Sequence, residues 1–203
     1  MPQPIVVSTL QNQDKDIVRK LLIDSYSQYE EVFRSPEAWS NYVQNIKDSL
    51  DNPNVEQILI AKHGPDIVGS IQLFESGEKA YQRSELDIQH PVVRLLAVHP
   101  NARGLGVAQA LLRESMDIAA ASGAKYLYLH TGDIMEAARA LYEWLGFERD
   151  EANEFRNGDS LVRCYFFDLR KERDHIDSAG ARTTIDSHSE TVASVSGVIE
   201  RGI

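Results

Sequence analysis

Residues 93–108 read VRLLAVHPNARGLGVA, and their order decides the fold. An apolar run, Leu95-Leu96-Ala97-Val98, stops at His99-Pro100. Arg103-Gly104-Leu105-Gly106-Val107-Ala108 follows and leads into a long amphipathic segment. A strand, a glycine-bearing turn and a helix start in direct succession make an anion cradle, because unpaired backbone N–H groups and the helix dipole both favour negative charge there. The glycines allow positive φ and let a ligand approach the backbone closely. Two common phosphate motifs fail at this turn. A Walker loop needs lysine where Val107 stands. The fingerprint G-x-G-x-x-G ends on Gln109, with no acidic residue closing the next strand at the expected distance.

Outward from the cradle, hydrophobic periodicity predicts the remaining elements. Ile5–Val7 reads as a strand and Asp16–Phe33 as a helix. Ser35-Pro36-Glu37 opens a second helix that carries Trp39, Val43, Ile46 and Leu50 and ends near Asn52-Pro53. Glu56–Lys62 and Ile67–Glu75 form a hairpin about His63-Gly64-Pro65-Asp66, and Ser76–His90 is a long polar loop. Gly104–Ser122 is a helix with the stripe Val107, Ala108, Leu111, Leu112, Ser115, Ile118 and Ala119, capped by Gly123. Lys125–His130 is a strand covered on both faces. Ile134–Leu145 is a helix with its stripe at 134, 138, 141 and 145, closed by Gly146. Phe147–Phe155 and Leu161–Leu169 pair about Asn157-Gly158-Asp159. Residues 171–203 have no aromatic residue and no periodic aliphatics. They predict a polar tail, disordered or ordered only by a neighbour, beyond a domain of residues 1–170.

Composition narrows the partners. With 42% apolar and 26% charged residues in 203, the chain is globular, and its net charge of -10 argues against nucleic acid or anionic membranes as partners. The lone cysteine, Cys164, cannot form an intrachain disulfide or a thiolate cluster. It reads as a small core residue in a reducing compartment, and the expected location is cytoplasmic. The first residues have no signal-peptide pattern, and no apolar run is long enough to span a membrane. The six histidines show no ligand spacing, so no metal is expected.

In this order of elements, with this turn, the chain resembles the GNAT superfamily of acyl-CoA-dependent N-acetyltransferases. The family turn Gln/Arg-x-x-Gly-x-Gly/Ala is met by Arg103, Gly106 and Ala108, and the preceding LAV-x-P pattern by Leu96-Ala97-Val98-His99-Pro100. A second block, A-x-x-L-Y-x-x-x-G-F, is met by Ala138-Arg139-Ala140-Leu141-Tyr142-Glu143-Trp144-Leu145-Gly146-Phe147. The likeness in element order spans residues 4–169, and its motifs lie within 93–148. Many members have asparagine three residues before the alanine of the second block; Met135 stands there, so that contact does not carry over.

The resemblance implies an α/β fold (α+β by some schemes) with a mixed, mostly antiparallel seven-stranded sheet and helices on both faces. It implies transfer of an acetyl group from acetyl-CoA to a primary amine of a small molecule or peptide, by direct attack in a ternary complex. The backbone of Arg103, Gly104, Leu105, Gly106, Val107 and Ala108 would hold the CoA pyrophosphate. That of Leu96, Ala97 and Val98 would hold the pantetheine arm, with the Val98 amide on the oxyanion. Tyr142, expected half-buried beside the Leu141/Leu145 stripe, would assist the leaving thiolate as an acid. Direct attack requires no acyl-enzyme, since proximity supplies much of the barrier reduction. No general base stands out: Glu85, Asp87, His90 and His130 are candidates, and Glu30 and Glu31 could line the acceptor site. A non-catalytic acyl-CoA sensor or interaction module on the same fold is the rival reading. The acceptor and the oligomeric state, a homodimer included, are left open.

Overall fold

The computed structural model describes residues 3–157 and 160–171. The predicted tail and the Gly158-Asp159 tip of the last hairpin lie outside the described residues. The elements, in order, are β1 (Ile5–Thr9), α1 (Lys15–Tyr26), α2 (Pro36–Asp48), β2 (Gln57–His63), β3 (Asp66–Phe74), α3 (Gly77–Tyr81), β4 (Val92–Val98), α4 (Val107–Ala121), β5 (Tyr126–Gly132), α5 (Glu136–Trp144), β6 (Glu148–Arg149), β7 (Phe155–Asn157) and β8 (Ser160–Asp168). They build one mixed sheet in the order β1-β2-β3-β4-β5-β8-β6, with β7 also on β8. Only the β4–β5 pair is parallel among the described strands.

The sheet has eight described strands rather than seven. The expected strand Phe147–Phe155 is broken because the Asp150 side chain accepts from the Ala152 N–H and caps a 3-10 turn at Glu151–Asn153. The first helix is also shorter than its stripe suggested: α1 stops at Tyr26 and the chain continues as a 3-10 turn over Ser27–Val32. The stretch read as a polar loop contains α3, capped by Ser76 and held down by buried Leu86 and Ile88.

Helices cover both faces, and the register shows which. Gly69 lies under the start of α4, whereas the Gln72 amide, three residues on and so on the other face, donates to Ser49 Oγ after α2. Gly69 is required by that contact. A Cβ there would stand 2.5 Å from Val107 Cγ1 and 3.1 Å from Leu111 Cδ1, so any larger residue pushes the first turn of α4 off the sheet. Gly69→Val should destabilise the fold by about 1–3 kcal/mol, read by urea unfolding, and weaken any ligand held at the α4 N-terminus along with it.

Candidate functional site

The strand before the cradle is bent by one extra residue. Ser70 pairs with Ala97 and Gln72 with Arg94, so Ile71 faces both Leu95 and Leu96, and Leu95 takes a φ of 50°. Such a bulge turns its strand. The parallel ladder to β5 is correspondingly short: Val92 pairs with Tyr128 and Val93 with Leu129, and from Arg94 onward β4 runs without β5 beside it in register. A gap opens in the sheet there.

Backbone groups face that gap. His99 N–H donates to Val68 C=O at 2.8 Å, so Val98, one residue earlier, turns its N–H and C=O away from β3. Two hydroxyls from the end of α1 reach this edge. Ser25 Oγ donates to Val98 C=O at 3.1 Å, and Tyr26 Oη to Leu96 C=O at 3.4 Å. Neither role is legible from the residues nearby in sequence, since these bonds span 73 and 70 positions. Ser25, buried on α1 among Val18, Leu21 and Leu22, is the trace the sequence carries.

Beyond Val98 the turn has the shape the motif predicts. Gly104 and Gly106 have φ of 76° and 78°, and Gly106 is the N-cap of α4 with no side chain to take the first N–H groups. A Cβ built on Gly106 would meet only Gln109 Oε1, at 4.0 Å, so the space before the helix start is open. Arg103 Nε is buried and makes no hydrogen bond among the described residues, and Tyr29 lies within electrostatic reach of it. An uncapped helix start, open space and a buried cationic donor together fit a phosphate-bearing ligand.

The second block lands differently from the sequence reading. The buried positions are Met135, Ala138, Tyr142 and Leu145, while Ile134 is 50% exposed and Leu141 only partly covered. Helix α5 begins at Glu136, and its buried stripe keeps the predicted Ala138 and Leu145 but takes Met135 and Tyr142 in place of Ile134 and Leu141. Tyr142 is therefore fully buried rather than half-buried, its ring 5.7 Å from Phe147 and 6.3 Å from Tyr165. It lies on the α4 side of the sheet, because Tyr165 pairs with Leu129, Leu129 with Val93, and Val93 with Leu73, which shares its face with Gly69.

The base candidates separate by position. Glu85 is exposed and paired with Arg83 at 3.0 Å, and Asp87 is exposed. His90 packs on Tyr126 and Tyr128 at the far end of β4, away from the gap. Glu30 and Glu31 are exposed on the 3-10 turn after α1. His130 differs. Two residues past the β5 partner of Val92, it shares a face with Arg94 at the edge of the gap. The ring is fully buried between Tyr81 and Phe155. Nε2 lies 3.0 Å from Asn153 C=O and so carries the hydrogen, which leaves Nδ1 as a bare acceptor with no partner among the described residues.

Burial pushes the His130 pKa down to about 4, with nearby Arg94 adding to the effect. The folded ring stays neutral while the unfolded ring takes a proton near pH 6.5. Between those values the unfolded chain binds more protons, so stability falls as pH drops from 6.5 toward 4. The expected contribution is about 3 kcal/mol. Denaturant unfolding of the wild type and His130→Gln at pH 7 and 4.5 measures it, the variant losing less on acidification.

Cys164 is buried and its thiol pKa is pushed up by burial, as befits a core residue. Among the described residues no helix is long and apolar enough to cross a membrane.

Comparison with known proteins shows the family of the chain. The model of the acetyltransferase (GNAT) family matches residues 17–147, a span that holds both the cradle and the Tyr142 block. The chain is 30% identical over 125 residues to the uncharacterized N-acetyltransferase YhfO of Bacillus subtilis (strain 168), covering 62% of this chain and 80% of that protein. It is 27% identical over 125 residues to N-acetyltransferase 8B of Rattus norvegicus, covering 58% of this chain and 54% of that one. Among solved structures, PaiA N-acetyltransferase from Thermoplasma acidophilum in complex with coenzyme A matches with a TM-score of 0.60 at 15% identity, over 81% of this chain and 99% of that one. At that identity the likeness is one of fold. The chain belongs to the GNAT acetyltransferase family.

Proposed function

We propose that the chain moves an acetyl group from acetyl-CoA to a primary amine by direct attack in a ternary complex. The observation that carries this reading is the gap between β4 and β5 beside an uncapped helix start. A ligand whose anionic end sits on residues 103–108 can lay its thioester arm along the Leu96–Val98 backbone and be met through the gap by an amine from the other face. Holding both reactants in one site supplies much of the rate.

In this reading the first N–H groups of α4 and the Arg103 guanidinium hold the pyrophosphate. The amide of Val98 donates to the thioester oxygen as it gains negative charge. The acceptor amine sheds its ammonium proton to solvent and attacks the thioester carbon, and the second proton, freed as the C–N bond forms, passes to His130 Nδ1, a neutral acceptor on the amine's side of the sheet. As the C–S bond breaks, the Tyr142 hydroxyl gives its hydrogen toward the departing sulfur, and the products are an N-acetyl amide and CoA.

Thiol release from acetyl-CoA across polyamines, amino acids, aminoglycosides and peptide N-termini tests the proposal. Turnover with at least one amine is expected. Tight CoA binding with no turnover on any acceptor would instead identify a sensor.

A further inference from the structure

The face opposite the cradle holds a pocket of about 260 Å³, open to solvent, between the end of α2, β3, α3 and β4. Its lining is polar for a position over the middle of a sheet: Asn45, Asp48, Asn52, Gln72 and Arg94, with Tyr81 beside them. Gln72 and Arg94 are direct cross-strand partners on two central strands, where aliphatic residues are the rule. Gln72 is buried and Arg94 partly so, its Nε out of reach of water. Burying a guanidinium is costly unless the site returns something for it.

The pocket is built around that cation. The Arg94 guanidinium lies over the Tyr81 ring at 4.7 Å and the Phe74 ring at 5.4 Å, and its Nη1 donates to Ala80 C=O. These contacts fix the planar group. Tyr81, Tyr26 and Tyr42 bring phenols within electrostatic reach of it, and burial pulls its pKa down. Tyr42 Oη is buried and makes no hydrogen bond among the described residues, so a hydroxyl without a partner stands near this cation. Asp48 supplies the opposite charge at the exposed rim, where it accepts from the Gln44 amide at 2.8 Å. The inner cation matches a carboxylate, and the carboxylate at the rim disfavours a second anionic group on the molecule that enters.

Arg94 is also the last residue before the bulge at Leu95, and so stands at the edge of the gap through which the amine must reach the thioester. We propose that this pocket selects the acceptor by its carboxylate: the acceptor is a small zwitterion of amino-acid size, its carboxylate on Arg94 and its amine toward the gap between β4 and β5. The assignment rests on the acetyltransferase reading given above. A guanidinium presents a planar fork that matches a carboxylate in two parallel hydrogen bonds. The volume falls just under the roughly 300–1,000 Å³ of pockets that take drug-sized ligands, so it suits a single amino acid. A net charge of -10 repels an anion as a whole but leaves a neutral zwitterion unopposed.

The test uses the full chain, with and without CoA, titrated by calorimetry with the twenty L-amino acids and with their α-carboxamides. At least one amino acid should bind, and its carboxamide should bind at least 10-fold more weakly. In Arg94→Gln the two should come within about 2-fold of each other while CoA affinity stays as in the wild type, and Arg94→Lys should keep part of the preference. The proposal is overturned if no amino acid binds in either form, if carboxamides bind as well as the acids, or if Arg94→Gln keeps the preference. The wild-type comparison decides the matter even where a variant does not fold. Failure of CoA to bind is a separate result, which removes the acetyltransferase reading and leaves the amino-acid titration to judge the pocket by itself.

Discussion

Gly106→Trp is expected to weaken CoA binding about 100-fold or more in calorimetry, in a chain that still folds. Two physical quantities set that expectation. Gly106 has a φ of 78°, where a side chain is strained by roughly 1–2 kcal/mol, an amount a domain of ordinary stability tolerates. The direction its Cβ would take is empty apart from Gln109 Oε1 at 4.0 Å, so the indole goes forward into the space before the α4 N-terminus instead of into the core. If the pyrophosphate occupies that space, the indole removes at least two charge-assisted hydrogen bonds of about 1.5–3 kcal/mol each, which is the 100-fold loss. Gly123→Ala provides the control. Its φ of 83° imposes the same strain at the other end of α4 with nothing within 4 Å, and CoA affinity should not move. A folded Gly106→Trp protein with wild-type CoA affinity would overturn the cradle.

The second large effect is expected at Tyr142. Tyr142→Phe should lower kcat about 100-fold, the lower range of general acid–base contributions, and leave the KM for acetyl-CoA within a few-fold. Full burial makes this variant informative. The ring sits among Phe147, Tyr165 and the α5 stripe, phenylalanine refills the same volume, and the change in stability should be about 1 kcal/mol or less. A fall in kcat then reports the hydroxyl. Single-turnover acetyl transfer separates chemistry from product release, and an unchanged single-turnover rate would remove Tyr142 from the acid role.

What could be read in advance followed from how local the causes are. The cradle was legible because its strand, turn and helix start are consecutive, and two glycines within three residues announce the positive φ values that the backbone adopts. Half of the α5 stripe is legible: Ala138 and Leu145 are buried as the spacing predicts, but spacing of three and four leaves a choice between neighbouring positions, and packing selects Met135 and Tyr142 over Ile134 and Leu141. On α2 the hydroxyl of Tyr42 sets it apart from the apolar pattern of Trp39, Val43, Ile46 and Leu50, yet it is the residue that α2 buries beside Ile46. The pocket is almost illegible in the sequence. Arg94 and Gln72 are 22 positions apart and meet only through the β3–β4 register, which the bulge itself shifts. A lone arginine within Val-Val-Arg-Leu-Leu was its single trace.

The extra residue at Leu95 has a consequence for inheritance. Because the gap arises from backbone phase, the side chains of Leu95–Val98 can drift among aliphatics with little effect on the opening. A change of one residue in the length of this strand is another matter. Deleting Leu95 would bring Leu96 opposite Ile71 and let β4 continue alongside β5, closing the sheet over the place where, in the proposed reaction, amine and thioester meet. Between Val92 and Pro100 the number of residues is thus held more tightly than their identity, and a lineage can shed this activity by losing a single codon while keeping every side chain around it.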